Sequence, residues 1–239
     1  MTGTIHSFES LAAVDGDGLR YGVFLAGCPL RCAYCHNPDT WEKSAGIEFD
    51  AERLVKKIVR YRPYFGERGG VTFSGGEPLL QAEWLCEVAE LLKQEEIGYV
   101  LDTSGGVPLS DAVKRLLSGA QSVLLDLKFP DEESYRCYTG RGIAQTLAVL
   151  EYLEEIGTPT RIRIVVIPEL NDSEEMLGKY LSHLRGKRCI SEVELLGFHT
   201  MGFHKYDALG IENRLADKKA LDPAVKDRLQ AFVNEQMKK

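Results

Sequence analysis

GCPLRCAYCHN, residues Gly27–Asn37, contains three cysteines, Cys28, Cys32 and Cys35, in the spacing C-x3-C-x2-C. Three thiolates so close together can bind three irons of a cubane iron–sulfur cluster. A [4Fe–4S] cluster usually takes four cysteine ligands, so the fourth iron would have no protein ligand. Catalytic metal sites keep such an open position, whereas structural sites close it. The segment therefore predicts a cluster that takes part in chemistry.

Two other interpretations use the same cysteines. A structural zinc site would need a fourth ligand, and His36 is the neighbouring candidate, although the chain has no second C-x2-C pair. A disulfide would leave one thiol over, because the segment holds an odd number of cysteines. The remaining cysteines, Cys86, Cys137 and Cys189, are scattered singly, which favours ordinary packing roles.

Composition and charge restrict the class of protein. The chain has 239 residues, 44% hydrophobic and 27% charged, as expected for one globular domain over residues 1–239. Its net charge of -7 argues against binding to nucleic acid or to an anionic membrane surface. The N-terminus has no signal-peptide pattern, and no uncharged stretch is longer than Tyr21–Leu30, so we expect no membrane span. Reduced cysteines then indicate a cytoplasmic protein.

Apolar, β-rich runs alternate with helix-period segments and predict six strand–helix units. The predicted strands are Tyr21–Ala26, Gly70–Phe73, Gly98–Leu101, Ser122–Leu127, Thr160–Ile167 and Val193–Gly197. The predicted helices run from the cap Asp50 to about Tyr61, and then over Ala82–Gln94, Ser110–Leu117, Ile143–Ile156, Ser173–Arg185 and Pro223–Gln236. This order gives a parallel sheet with right-handed crossovers. A closed barrel would need eight units, so six indicate an open barrel or a flat doubly wound sheet.

Unusual polar residues follow the predicted strands and help to decide the fold. After the cysteines come Ser74-Gly75-Gly76-Glu77, Asp102-Thr103, Asp126 with Lys128, Arg163 within the fifth strand, and His199. A barrel brings all strand ends to one face around one axis, whereas a doubly wound sheet has only a crevice. We therefore predict an α/β fold, a partial (β/α)6 barrel. Its core covers about residues 15–200, and residues 201–239 form a C-terminal extension.

The residues after the strands suggest binding of a polar ligand, with a structural alternative for each. The glycines of 74–78 let a ligand approach the backbone, or they form a plain turn. Asp102, Thr103 and Asp126 supply oxygen ligands for a hard cation, or caps for the following helices. Lys128 would point at a carboxylate or lie at the solvated rim. Arg163 alternates into the lumen, where its partner is an anionic ligand or an internal acid.

Together these segments resemble the radical S-adenosylmethionine (SAM) enzymes and, within them, the activases of glycyl radical enzymes. The matching segments run through nearly the whole chain in family order: 5–10, 14–20, 27–41, 71–81, 101–105, 125–128, 198–199 and 205–206. The resemblance implies a partial barrel of the radical SAM type with one [4Fe–4S] cluster and SAM as cofactors. It also implies that the enzyme reductively cleaves SAM and uses the 5′-deoxyadenosyl radical to take hydrogen from a glycine of a partner enzyme.

Site residues are carried over from the family by position. Cys28, Cys32 and Cys35 would bind the cluster and, with Lys128, are the implied catalytic residues. The implied SAM-binding residues are Tyr34, Cys35, His36, Gly76, Asp126, Leu127, Lys128, Arg163 and His199. Asp102, Thr103 and Asp126 match positions that bind a monovalent cation, and Asp15 and His36 match positions near the partner's glycine loop.

The implied partners are a glycyl radical enzyme such as pyruvate formate-lyase and a flavodoxin- or ferredoxin-type electron donor. Activases of other glycyl radical enzymes often insert a cysteine-rich segment after the first motif, but here Trp41 leads directly to the first helix. Asp17 stands where the family usually has proline. Two rival functions stay open: a radical SAM enzyme that acts on another protein or a small molecule, and an iron–sulfur or zinc binding module without catalytic activity.

Overall fold

One mixed sheet organises the molecule in the computed structural model, which describes residues 1–12 and 16–238. The strands are β1 (Thr2–Ala12), β2 (Arg20–Leu25), β3 (Ile47–Asp50), β4 (Gly70–Gly75), β5 (Tyr99–Thr103), β6 (Ser122–Asp126), β7 (Thr160–Val166) and β8 (Ile190–Gly197). The helices are α1 (Ala51–Val59), α2 (Arg62–Phe65), α3 (Ala82–Gln94), α4 (Asp111–Gly119), α5 (Glu132–Thr139), α6 (Ala144–Ile156), α7 (Glu174–Leu184), α8 (His204–Leu209) and α9 (Pro223–Met237). Short 3-10 turns cover Pro38–Thr40, Lys43–Ala45 and Pro78–Gln81.

Six of the strands form the predicted partial barrel. The strand order is β3-β1-β2-β4-β5-β6-β7-β8, and every pairing from β2 to β8 is parallel. The two ends of this order, β3 and β8, do not pair with each other within the described ranges, so the barrel stays open along one side. The prediction of a partial (β/α)6 barrel is confirmed.

Local sequence signals explain where the main helices begin. Asp50 accepts a hydrogen bond from the Arg53 amide at the start of α1, and Ser110 and Ser173 cap α4 and α7 in the same way. Each cap satisfies an amide that has no partner in the first helical turn. The buried faces of these helices then pack on the outside of the sheet, which fixes the strand ends where the polar residues lie.

The sequence missed elements at the edge of the sheet and between the main units. Strand β1 pairs antiparallel with β2, and β3 pairs antiparallel with β1, so the sheet extends beyond the six parallel strands on this side. Both strands are only partly buried, and such strands lack the continuous apolar runs of central parallel strands. The short helices α5 and α8 were also missed. The proposed division at residue 200 stays a prediction.

Alternation along the strands separates the core from the lumen. In β7, Ile162, Ile164 and Val166 are fully buried on the outer face, under the helices. Arg161 and Arg163 alternate with them, and therefore face the inside of the barrel. The expected direction of Arg163 is confirmed. No described helix is long and apolar enough to cross a membrane.

Candidate active site

A cavity of about 230 Å³ lies at the carboxyl ends of the parallel strands. Its walls include most of the predicted site residues: Cys28, Cys32, Tyr34, Cys35, His36, Gly76, Asp102, Thr103, Asp126, Lys128 and Arg163. Residues far apart in the sequence meet here because parallel strands deliver their carboxyl ends to one face. The structure therefore shows the polar residues converging on one face, as the sequence predicts.

The cysteine segment is held by backbone hydrogen bonds to two other parts of the chain, the residues around Trp41 and the end of α5. The amide of Cys28 donates to the carbonyl of Trp41 at 3.0 Å, and the amide of Arg31 donates to Thr139 at 2.7 Å. The amide of Ala33 donates to the carbonyl of Tyr138 at 2.8 Å. These bonds shape a segment that has no regular secondary structure, so the positions of the three thiols are set by neighbouring elements.

All six cysteines are free thiols, and within the segment Cys32 is buried while Cys28 and Cys35 are half-buried. Burial raises the pKa of Cys32 to about 12, with Cys35 adding to the effect and Lys128 opposing it. Burial likewise raises the pKa of Cys28, to which Glu77 also contributes, and that of Cys35. Thiols bind iron as thiolates, so metal loading here must release protons. A buried set of soft sulfur ligands beside an open cavity fits a cluster.

Helix α8 closes over the cysteine segment from the C-terminal part of the chain. The hydroxyl of Tyr206, a side chain that is 2% exposed, donates to the carbonyl of Cys35 at 3.0 Å. Lys205 donates to Asn37 at 2.9 Å and forms an ion pair with Asp39 at 3.0 Å. Sequence reasoning gave these two residues no role. The only signal was their place in the family resemblance.

The zinc alternative is not supported by the arrangement of His36. Its Nε2 lies 3.0 Å from the carbonyl oxygen of His199, and the two imidazole rings stack at 4.0 Å. Among the described residues, no group of three or more His, Cys, Asp or Glu side chains is arranged to bind a single metal ion. A cluster does not need that arrangement, because each thiolate binds a different iron.

Opposite the cysteines, charged side chains form a paired network in the cavity wall. Lys128 Nζ donates to Asp126 Oδ2 at 2.6 Å, and Arg163 Nε donates to Asp126 Oδ1 at 2.8 Å. Arg163 also forms an ion pair with Asp102, whose carboxylate accepts from Ser74 Oγ at 2.8 Å. Both carboxylates belong to strand ends, and the two cations lie one on each side of Asp126.

The pKa values of this network follow from its pairing. Burial alone would raise the pKa of Asp126, but Arg163 and Lys128 outweigh it and lower the pKa to about 2. Burial would lower the pKa of Lys128, but Asp126, followed by Cys32, raises it above its ordinary value. Asp126 and Lys128 therefore stay ionised across the neutral range and present fixed charge to a ligand.

The predicted monovalent cation finds no preformed site among these residues. The Thr103 hydroxyl donates to Glu77 Oε1 at 2.5 Å and is thus engaged away from the two carboxylates. Arg163 already bridges Asp102 and Asp126. Binding of such a cation stays a prediction.

Glu77 is a functional candidate that sequence reasoning passed over, although it belongs to the quoted glycine motif. Its side chain is 0% exposed and accepts hydrogen bonds from Thr103, from the amide and hydroxyl of Ser104, and from the amide of Leu79. Burial raises the pKa of this carboxyl, while these donors lower it. Glu77 thus ties the glycine loop to the end of β5.

The glycine loop requires glycine for two reasons. Gly75 has a φ of 97°, a conformation that favours glycine. A Cβ on Gly76 would lie 2.2 Å from the carbonyl oxygen of Gly27, the residue before Cys28. The missing side chain of Gly76 therefore makes room for the cysteine segment, and its backbone lines the cavity.

Two predicted residues lie away from the cavity wall, and a third is not among the residues that the structure describes. The Leu127 side chain is 1% exposed in the core, so only its backbone can contact a ligand. His199 does not line the cavity but stacks behind His36, and its buried Nδ1 has no hydrogen-bond partner in the described structure. Asp15 lies outside the described residues. Asp17 approaches Arg161 at 3.5 Å, at the amino ends of the strands, on the opposite side from the cysteines.

Comparisons with known proteins agree with this geometry. The model of the Radical SAM superfamily matches residues 23–181. The pyruvate formate-lyase-activating enzyme of Clostridium pasteurianum is 43% identical over 235 residues, which cover 98% of each chain. The pyruvate formate-lyase 1-activating enzyme of Escherichia coli (strain K12) is 37% identical over 98% of this chain and 96% of its own.

Solved structures show the same fold at lower identity. A domain of pyruvate-formate lyase-activating enzyme from Bacteroides vulgatus ATCC 8482 aligns with a TM-score of 0.57 and 22% identity, covering 70% of this chain and 94% of that one. Streptococcus suis SuiB bound to S-adenosylmethionine aligns with a TM-score of 0.65 and 18% identity, covering 88% and 45%. The family match and the two relatives place the protein: the chain belongs to the radical SAM superfamily, whose members use a [4Fe–4S] cluster and SAM, and within it to the family of pyruvate formate-lyase-activating enzymes.

Proposed function

We propose that this protein activates pyruvate formate-lyase, or a related glycyl radical enzyme, by taking a hydrogen atom from one glycine of that partner. One observation carries the proposal. The three cysteines, the glycine loop and the charged network of Asp126, Lys128 and Arg163 surround the same cavity of about 230 Å³. When bound, the cluster supplies the electron that splits SAM into methionine and a 5′-deoxyadenosyl radical.

The chain's own residues bind and orient SAM. Cys28, Cys32 and Cys35 would hold the cluster through three of its irons, and SAM would bind at the remaining iron through its amino and carboxylate groups. The backbone at Gly76 lies at the cavity wall, next to the cysteine segment, where the amino end of the methionine part would bind. Lys128 supplies a fixed positive charge for the SAM carboxylate, since its pKa is raised by Asp126. Such fixed charges orient a ligand without reorganisation.

Apolar and aromatic residues keep the reacting region dry. Leu30, Tyr34, Val165 and Leu196 line the cavity between its polar groups. A radical takes hydrogen from almost any C–H bond nearby, so water and stray donors must be excluded. The open side of the barrel leaves this seal incomplete, and a loop of the partner that carries the target glycine would complete it. We further propose a flavodoxin- or ferredoxin-type electron donor and a cytoplasmic setting, since the composition fits both.

Anaerobic co-incubation tests the proposal. The reconstituted protein, SAM, reductant and pyruvate formate-lyase should give a glycyl radical signal by electron paramagnetic resonance, with one methionine and one 5′-deoxyadenosine for each radical formed. Cys32→Ala is the control and should give none. A protein that cleaves SAM in response to a small metabolite, but with no glycyl radical enzyme, would be a radical SAM enzyme of the rival kind.

A further inference from the structure

Exposed cationic side chains surround the outer side of the cysteine segment. Arg31, Lys43, Arg141 and Arg214 are all exposed, and we call them the cationic face. Arg31 lies within the segment itself. A Cβ on Gly27 would lie 3.7 Å from the Cβ of Lys43, so this lysine stands beside the start of the segment.

Two arginines of the cationic face contact the backbone of the cysteine segment directly. Arg31 Nη1 donates to the carbonyl of Cys28 at 2.7 Å and to that of Leu30 at 2.9 Å. Arg141 Nε donates to the carbonyl of Pro29 at 3.2 Å. Positive charge is therefore held at the surface, within one hydrogen bond of the residues that carry the thiols.

Arg214 extends the face over the helix that supports the segment. Its Nη1 donates to the carbonyl of Cys137 at 2.8 Å, next to Tyr138, whose own carbonyl accepts from the Ala33 amide. These bonds join Arg214 to the same local structure as the cysteine segment.

Most of this positive charge is not neutralised locally. Among the described residues, Lys43, Arg141 and Arg214 form no ion pair, whereas Arg31 pairs with the exposed carboxylate of Glu42 at 2.8 Å. The neighbouring Arg136 and Glu132 pair with each other and contribute no net charge. In a chain of net charge -7, an excess of cations at one place is a distinct local feature.

The cationic face is separate from the cavity. None of its four residues is among those that line the cavity wall. The proposed partner presents its glycine to the cavity, so the two surfaces use different residues of the chain.

We propose that the cationic face is the docking surface for a small acidic one-electron carrier protein. The inference rests on the proposed function, since SAM cleavage consumes one electron that must come from outside the chain. In the step that the face serves, the reduced carrier loses one electron and the cluster gains it, with no bond formed or broken. Opposite charges steer such encounters and speed association by about 10- to 1000-fold.

The test uses the cluster-loaded protein and reduced flavodoxin as the probe. The double variant Lys43→Glu with Arg214→Glu reverses two charges of the face that make no hydrogen bond to the cysteine segment. The matched control, Lys56→Glu with Arg188→Glu, makes the same change in net charge at exposed residues that pair with Glu52 and Glu154 elsewhere.

At low ionic strength, the second-order rate constant of cluster reduction should fall by about tenfold in the test variant and by less than about twofold in the control. Binding of oxidised flavodoxin, measured by fluorescence anisotropy without electron transfer, should weaken in parallel. Added salt should slow the wild type most. A reduced acidic ferredoxin should show the same dependence on the two variants.

Two outcomes would overturn the inference: equal slowing in both variants, which assigns the effect to net charge, or no slowing in the test variant. Photoreduction with an uncharged deazaflavin bypasses the carrier protein, so it tests the proposed function independently of the docking inference. If photoreduced protein fails to cleave SAM, the proposed function is wrong. If it cleaves SAM but the variants behave alike, only the docking inference is wrong.

Discussion

At the scale of single residues, the two groups of cysteines should behave differently. Replacing any one of Cys28, Cys32 or Cys35 by Ala should abolish the cluster, because each thiolate binds its own iron. The Cys86 thiol donates to the carbonyl of Ala112 at 3.4 Å and does not line the cavity, so Cys86→Ala should retain full iron and sulfide content, as should the alanine variants of Cys137 and Cys189. Iron and sulfide analysis after anaerobic reconstitution measures this, and cluster loss in one of the scattered variants would contradict the assignment.

Gly76 gives a prediction that the sequence alone would have misjudged. A glycine that only contacts SAM could be substituted without loss of the cluster. The structure places its missing Cβ 2.2 Å from the carbonyl oxygen of Gly27, so Gly76→Ala should lower both SAM affinity and cluster content. Gly178, whose Cβ would meet nothing within 4 Å, is the matched control. A Gly76→Ala protein that keeps a full cluster but binds SAM more weakly in a titration would contradict this prediction. It would show that the cysteine segment shifts to accommodate the new Cβ without losing the cluster.

The ionisation of Asp126 should make the unfolding free energy depend on pH in the acid range. Its pKa is lowered to about 2, so its ionised form stabilises the fold above the unfolded pKa, and this contribution is lost as the pH falls from about 4 to 2. At pH 7, Asp126→Asn should cost about 2 kcal/mol of unfolding free energy, a difference that shrinks at pH 3. Denaturant titrations measure it. Glu52→Gln, from an exposed pair with Lys56, should change stability by less than about 0.5 kcal/mol.

At the scale of elements, α8 supports the cysteine segment from a distance in the sequence. Tyr206→Phe removes the hydrogen bond to the carbonyl of Cys35, and a lost bond of about 1 kcal/mol corresponds to roughly a fivefold change in an equilibrium. We expect the cluster to form but to be lost to a chelator several times faster, with an altered electron paramagnetic resonance spectrum. Tyr64→Phe, at a side chain 58% exposed, should change neither. Identical rates of cluster loss to the chelator in both variants would show that α8 does not support the cysteine segment.

At the scale of the whole molecule, the open barrel predicts dependence on a partner. Strands β3 and β8 end the sheet without meeting, so in the described structure the lumen between them is uncovered. A peptide around the partner's glycine should speed 5′-deoxyadenosine formation at least about tenfold, because it places a C–H bond at the reacting carbon and excludes water. The same peptide with alanine for glycine should have little effect. Equal rates with and without peptide would show that the chain closes its own site.

The chemistry and the class of fold could be predicted from the amino-acid sequence. The spacing of Cys28, Cys32 and Cys35 is local information, and a parallel sheet of six strand–helix units follows from hydrophobic periodicity and helix caps. The direction of Arg163 followed from simple alternation along β7. These features depend on neighbours within one element, so they could be predicted without the fold.

The pairing of these residues could be seen only in the folded structure. Arg163 joins Asp102 to Asp126, Thr103 turns to Glu77, and Tyr206 reaches the cysteine segment from 171 residues away. Each pairing joins side chains from different elements, and its choice depends on distances of a few ångströms that no spacing in the sequence encodes. Strands β1 and β3 were not predicted for the same reason, since half-buried strands are stabilised mainly by the sheet that they join.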